Sequence, residues 1–152
     1  MNIQYLTQVK ENHQLRNFVN RGFSLDKIKQ IEQKFNNNKE FPKAFREFLF
    51  LAGDFNNFGF DDIDGIIKLQ EYAKEDMEMA GQTLNKAFFA FDVLDSMYSV
   101  ILLDETNEDP KVYLLMPFLA KGGSEPLLKP NGWDFTALVN ESIRRVKNNI
   151  SF

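Results

Sequence analysis

Cysteine is absent from this chain, and histidine occurs once, as His13. Without thiols there is no disulfide framework, no thiolate zinc site and no thiol nucleophile, and such a chain suits a reducing compartment. A zinc site at His13 would need companions of the His or Cys type, and the sequence has none. No nucleophile-elbow motif offers it a serine partner either, so His13 is expected at the surface or the core edge. Glycine numbers only eight, and no P-loop or dinucleotide-type glycine pattern forms. Gly122-Gly123-Ser124 is too short to cradle a phosphate. Long apolar runs are missing as well. The longest, Val112 to Met116 and the stretch around Phe88 to Phe91, fall far short of the ~20 residues a membrane span needs. The opening Met1 to Gln8 lacks the basic residues and apolar run of a signal peptide, so a cytoplasmic location is expected, with no membrane partner.

What the chain has in excess is phenylalanine. Its 152 residues include 16 Phe, four Tyr and one Trp, and each ring can bury on the order of 150–250 Å². Rings therefore dominate any core, and a chain of this length suits one domain, taken as residues 1–152, with no need of a metal or disulfide. The net charge of −4 hides an uneven spread. Residues 1–50 carry nine Lys/Arg and five Asp/Glu, residues 51–110 three and fourteen, and residues 111–152 six and three. The acidity sits wholly in the middle. That disfavours direct nucleic-acid binding, which sets cations against phosphates, and favours a basic protein partner. The plainer account is a solvated face that aids solubility.

Periodicity gives the elements. Ile3, Leu6, Val9 and His13, followed by Leu15, Phe18 and Val19, predict a helix over 3–19 that ends at Asn20-Arg21-Gly22. Ser24 is placed to cap a second helix with Leu25, Ile28, Ile31 and Phe35 on one stripe, broken by Asn36-Asn37-Asn38. Pro42 opens a third, with Phe45, Phe48, Leu49 and Ala52 inward and Gly53 as a left-handed exit. Residues 54–65 read as a loop, Ile66-Ile67 as a short strand and 69–80 as a helix ended by Gly81. The period then becomes two: strands are expected around 89–93, 97–103 and 111–116, the last two joined as an antiparallel hairpin by the turn chemistry of Asp104 to Pro110. Turns are marked at 122–124 and 130–132. A closing helix begins at Asp134, with Trp133 and Leu138 as a hydrophobic staple and Phe135, Leu138, Val139, Ile143 and Val146 inward. Helices, then a strand meander, then a helix make an α+β fold, an antiparallel sheet of about four to six strands flanked by helices.

Two loops carry the candidate chemistry. Asp54-Phe55-Asn56-Asn57-Phe58-Gly59 begins like a calcium loop, but Phe58 takes the fifth ligand place and Gly65 the twelfth. A frame with Gly65 sixth puts Phe60 first, so neither frame closes around a hard cation. Carboxylates are plentiful, yet their spacing selects no acid–base pair. No catalytic residue, metal or cofactor is therefore expected. The loops read instead as a docking surface, with rings as anchors and charge for steering. Its residues would be Asp54, Phe58, Asp61, Asp62 and Asp64 on the first loop and Asp104, Glu105, Glu108 and Asp109 on the hairpin turn. Against this stands the reading in which the rings tuck under the loop and the acids only solvate it.

Ile28-x-x-Ile31-Glu32-x-x-Phe35, then Phe41-Pro42-x-x-Phe45-x-x-Phe48-Leu49 and Ala52-Gly53, resembles the opening of the SUKH superfamily. That group includes the fungal Smi/Knr-type regulators of cell-wall assembly and many bacterial proteins. The resemblance runs on through Phe88-Phe89-Ala90-Phe91-Asp92, Asp95-Ser96, Val112-Tyr113 and Trp133-Asp134-Phe135-x-x-Leu138. It covers about residues 25–148 and leaves 1–24 as a helical extension. Phe41 stands for the usual Leu, Ala52 for the Asn of an Asn-Gly pair, and Ser96 where glycine and an acidic residue are usual. The matched positions are structural and carry no catalytic assignment. What the resemblance implies is a non-enzymatic protein-binding module. In bacteria that is an immunity protein that neutralises a cognate toxin, often a nuclease with a basic surface; the alternative is an intracellular regulatory or scaffolding protein of the fungal type.

Overall fold

The computed structural model describes residues 1–151; Phe152, the last residue of the expected domain, lies outside that description. Among the described residues, six helices and six strands follow in the order α1 (Thr7–Glu11), β1 (Gln14–Leu15), β2 (Phe18–Val19), α2 (Leu25–Phe35), α3 (Lys43–Ala52), α4 (Ile66–Met79), β3 (Phe88–Leu94), β4 (Met97–Leu102), β5 (Lys111–Leu115), α5 (Pro117–Lys121), β6 (Leu128–Asp134) and α6 (Phe135–Lys147). Helices accompany a four-stranded sheet ordered β3-β4-β5-β6 and a small β1–β2 hairpin, an α+β arrangement. The residues fall into two compact units. One holds residues 1–60, 106–110 and those from Asp134 onward; the other holds 61–105 and 111–133.

The first unit is built on phenylalanine. Phe45 and Phe48 of α3, Phe135 of α6 and Phe58 and Phe60 of the loop form one ring cluster. Phe45–Phe135, Phe48–Phe60, Phe48–Phe135 and Phe58–Phe60 meet edge to face with centroids 5.1–6.0 Å apart, the geometry the ring quadrupole favours, and Phe48–Phe58 and Phe60–Phe135 are tilted. α2 starts as expected: the Ser24 hydroxyl accepts the Lys27 N–H at 3.1 Å, satisfying an orphan donor of the first turn. It ends at Asn36, whose side-chain amide donates to the carbonyls of Lys39 and Glu40, while Asn37 and Asn38 take left-handed φ of 51° and 67°. Glu32 of α2 ties the α2–α3 connection together, accepting the Phe41 N–H at 2.6 Å and the Arg46 guanidinium at 2.9 Å.

Three expectations fail in this unit. The helix over 3–19 shrinks to Thr7–Glu11, and 14–19 turns back as a hairpin, with Arg16 and Asn17 at φ 53° and 75°. These are the two left-handed positions of a tight hairpin turn. Leu15, Phe18 and Val19 carry helical spacing, but Phe18 and Val19 are exposed and Leu15 half-buried, so no buried face selects the helix. Gly53 is right-handed, φ −67°. Glycine stands there for space, since a Cβ would lie 2.7–2.8 Å from Leu49 backbone atoms and the Phe23 ring. At α6 the Asp134 side chain makes no cap bond. The cap comes from afar: the Asp109 carboxylate accepts both the N–H and the hydroxyl of Thr136 at 2.9 Å, and the Pro110 carbonyl accepts the Phe135 N–H.

The second unit packs α4 on the sheet. Leu69, Ala73 and Met77 meet Ala90, Val93, Tyr98, Val100 and Leu115 in one apolar cluster. Ile66 is buried and extends this stripe by three residues, so Ile66-Ile67 opens α4 rather than forming the expected strand. The helix ends as expected at Gly81, φ 64°, in a paired closure: the Gln82 N–H reaches the Met77 carbonyl and the Gly81 N–H the Glu78 carbonyl. β3, β4 and β5 are the three expected strands, and β4 pairs antiparallel with β5 in the register Tyr98↔Leu115 to Val100↔Tyr113. A bulge at Phe91 interrupts the β3–β4 ladder, and Phe89, Ala90 and Phe91 are buried in succession. Gln70, itself buried, stitches α4 to β3 by bonding both backbone groups of Ala90, at 2.8 and 2.7 Å. α5 and β6 were not anticipated. β6 holds Pro130 and Gly132, turn residues that a strand tolerates at the end of a sheet, where β6 lies.

Candidate functional site

The acidic middle segment is divided between the two units, and most of its carboxylates accept a specific hydrogen bond. In the first unit Asp54 pairs with Arg21 at 3.3 Å, both side chains about half exposed. Glu108 accepts the Tyr5 hydroxyl at 2.7 Å, and Asp109 caps α6. Phe58 has no exposed surface and packs its ring on Phe48 and Phe60, so the ring expected as a docking anchor is part of the core. The loop amides turn inward too: Asn56 exchanges hydrogen bonds with the backbone of Phe60, and buried Asn57 donates to the carbonyls of Asn12, His13 and Phe18. His13 is exposed. Among the described residues no group of three or more His, Asp or Glu side chains is placed to hold a metal ion.

In the second unit the loop that leads into α4 is held by its own acids. The Asp61 carboxylate accepts the Ile63 N–H at 2.8 Å, and Asp62 accepts the Gly65 N–H at 3.3 Å. Asp64 accepts the Tyr72 hydroxyl. Glu105 accepts the Tyr113 hydroxyl at 2.6 Å, and exposed Asp104 lies beside it in sequence. The backbone of Asp61 pairs with β3: its carbonyl accepts the Val93 N–H at 3.0 Å, and its N–H donates to the Asp92 carboxylate at 2.7 Å. All four tyrosines of the chain thus donate to carboxylates of the acidic segment, the fourth pair being Tyr98 and Asp76 at 2.6 Å. Each phenol is shifted upward. Burial is the larger cause at Tyr98, with Asp76 second; the Glu105 bond leads at Tyr113, pushing it to about 12.

One concavity emerges from these elements, a cleft of about 400 Å³ between the Asp61–Gly65 loop, α4 and the β3–β4 turn. Asp61, Glu75, Asp76 and Asp95 supply its carboxylates, and the rings of Tyr72 and Tyr98 with Val93 its apolar floor. Ile63 and Leu94 stand at its edge, 57% and 66% exposed, large for aliphatic side chains. The β3–β4 turn is formed by Asp95 and Ser96, both left-handed at φ 51° and 58°, the pattern of a tight hairpin turn, and it brings Asp95 and Leu94 to the cleft. Asp92 lies beneath the loop. Burial pushes its carboxyl up to about 6 against two backbone N–H bonds that pull the other way, while Asp61 and Asp62 add to the rise.

The site therefore gathers Asp61 from the expected docking residues and adds residues that reasoning from loops overlooked. Glu75 and Asp76 sit on α4, three and four residues after Tyr72, and so share its helix face. Helical spacing was the available signal. Asp95-Ser96, between two alternating apolar runs, was the hairpin signal. Chemically the cleft has four carboxylates beside rings and aliphatic carbon, with Lys68 of α4 near it, its ammonium 5.8 Å from the Tyr72 ring centroid and paired with Glu71 at 2.8 Å. It suits a cationic side chain whose methylene stem lies on the floor while its head meets the carboxylates. Compared with known proteins, the chain matches no protein family, no curated protein and no solved structure.

Proposed function

We propose that this protein is a non-enzymatic binding module whose acidic cleft docks a basic protein. The carrying observation is the cleft itself, with the carboxylates of Asp61, Glu75, Asp76 and Asp95 around an apolar floor and with Ile63 and Leu94 exposed at its edge. Carboxylates of one sign steer a cationic partner and set its register. Exposed aliphatic side chains supply burial that charge alone does not. The resemblance to the SUKH superfamily extends the proposal: the protein is of the immunity type, cytoplasmic, and neutralises a toxin domain whose surface is cationic because it is built for phosphates. Occlusion of such a surface requires no catalytic group on this side. Among the described residues no helix is long and apolar enough to cross a membrane.

Charge reversal tests this reading. The variant Asp61→Lys, Glu75→Lys, Asp95→Lys leaves the Tyr98–Asp76 bond in place and inverts the rim. Affinity capture from the native host, with mass spectrometry and then binding of the purified captured protein, should yield a basic partner held by the wild type. The triple variant should lose it by at least about tenfold in Kd, since each close charge pair contributes of the order of 1 kcal/mol or more. A partner retained equally by the triple variant would place docking elsewhere and overturn the proposal. Immunity adds its own requirement: cells that express the captured partner should survive only with the wild-type protein.

A further inference from the structure

The β3–β4 turn borders a second depression. Asp95 and Ser96, which help line the acidic cleft, also line a pocket of about 210 Å³ with Met97, Met116, Phe118 and Leu119. Apart from the turn residues, its walls are apolar. Met116 is buried, whereas Phe118 and Leu119 of α5 are each 38% exposed. The volume is below the ~300–1,000 Å³ of small-molecule sites and suits a single aliphatic or aromatic side chain. Two methionines in the lining make it adaptable, since the unbranched thioether repacks around different shapes.

We infer that the partner's docking segment is bipartite, placing a lysine or arginine in the acidic cleft and an apolar side chain in the Met97–Leu119 pocket across the β3–β4 turn. The inference rests on the reading of the cleft as a docking site and names what that site recognises: an amphipathic stretch of protein chain. Charge decides the occupant. A second copy of this chain docked through the same patch about a two-fold axis would set like carboxylates together. Anionic lipid headgroups would meet the same repulsion. A basic, amphipathic segment satisfies both depressions, with its apolar residue as the buried anchor and its cation as the selector.

Three capped 14-residue peptides serve as probes: one of lysine and leucine at helical spacing, one with every leucine replaced by serine, and one with glutamate for lysine. Binding to the full chain is measured by calorimetry at about 150 mM salt, where exposed charges act only within ~8 Å, and mapped by amide shifts in two-dimensional NMR. The lysine–leucine peptide is expected to bind at least about tenfold tighter than the lysine–serine one, the order of magnitude for burying one apolar side chain. It should move amides at both 61–63 and at Met116, Phe118 and Leu119, and the glutamate peptide should not bind. Leu119→Ser, and separately Phe118→Ser, should reduce the lysine–leucine peptide to the lysine–serine level and leave the latter unchanged. Both positions are partly exposed, so a folded variant is expected, and the NMR spectrum checks it. Equal binding of the two cationic peptides, or indifference to both substitutions, overturns the bipartite inference and leaves the cleft proposal standing. Failure of both cationic peptides to move the cleft amides overturns the two together.

Discussion

Glu47 of α3 is completely buried, and one oxygen of its carboxylate, Oε1, accepts three consecutive backbone N–H groups, those of Gln4, Tyr5 and Leu6, at 2.9, 2.8 and 3.0 Å. Its other oxygen has no hydrogen-bond partner. The three bonds hold the chain where it enters α1, and Leu6 and Val9 behind it are buried. Glu47→Ala removes the acceptor of all three donors. The Leu6 N–H is the most deeply placed and carries a desolvation penalty of about 1–3 kcal/mol when orphaned. The Gln4 and Tyr5 groups are part-buried and recover water, so each loses about 0.5–1 kcal/mol. The sum is about 2–5 kcal/mol, a large part of the ~5–15 kcal/mol that holds a domain. Glu47→Gln keeps the acceptor but loses charge assistance and replaces the unbonded oxygen with an amide N–H₂, for about 1–2 kcal/mol. Urea unfolding of wild type and both variants gives the totals. Amide exchange at Leu6 gives the local part, with protection expected to fall by about a hundredfold in Glu47→Ala, since 1.4 kcal/mol is tenfold. If Glu47→Ala lies within about 0.5 kcal/mol of the wild type and Leu6 stays protected, the carboxylate does not hold this segment and the reasoning is wrong.

Asp92→Asn tests the cost of burying a carboxyl beneath the cleft loop. With its native pKa near 6, the folded protein takes up a proton that the unfolded chain, titrating near 4, does not; stability therefore falls as pH rises from 4 to 6. The variant keeps an acceptor for the Asp61 N–H, so urea unfolding should show it more stable by about 1–2 kcal/mol at pH 7, with the gain gone at pH 4. The four tyrosines are all shifted upward, Tyr98 chiefly by burial and the other three chiefly by the bond to their carboxylate partners. Absorbance titration should show less tyrosinate at pH 10 than four free phenols, which are half ionised there, and stability should fall as pH rises above 10. Gly22→Ala would place a Cβ 1.6 Å from the Phe50 carbonyl oxygen. That contact is with backbone and does not yield, so a loss above about 3 kcal/mol, or no soluble product, is expected.

The amphipathic elements were legible because their apolar residues recur at the period of the element they form. Phe45, Phe48, Leu49 and Ala52 are spaced for a helix face and occupy one; Val112 and Leu115 were read within a strand and lie in one. Ser24 and Gly81 act through local backbone chemistry that a few neighbours define, and that too was readable. Periodicity failed at 15–19, where apolar spacing suits a helix but no partner surface buries it, and at Ile66, where only the stripe on α4 shows that the helix has already begun. β6 was hidden because its backbone pairs at the end of a sheet, a position that demands little of its side chains.

The site is where tertiary structure decided most. The sequence alone determined that fourteen acids lie between 51 and 110, that no thiol accompanies them, and that many rings are available. It could not say which carboxylates a tyrosine or a helix terminus would claim, because Glu108 with Tyr5 and Asp109 with Thr136 meet across long sequence separations. Nor could it distinguish Phe58, sealed in the core, from Leu94, left in the open. Charge and composition are properties of the chain, but which charges converge on a cleft and which rings are buried depend on long-range packing, and only the fold supplies that.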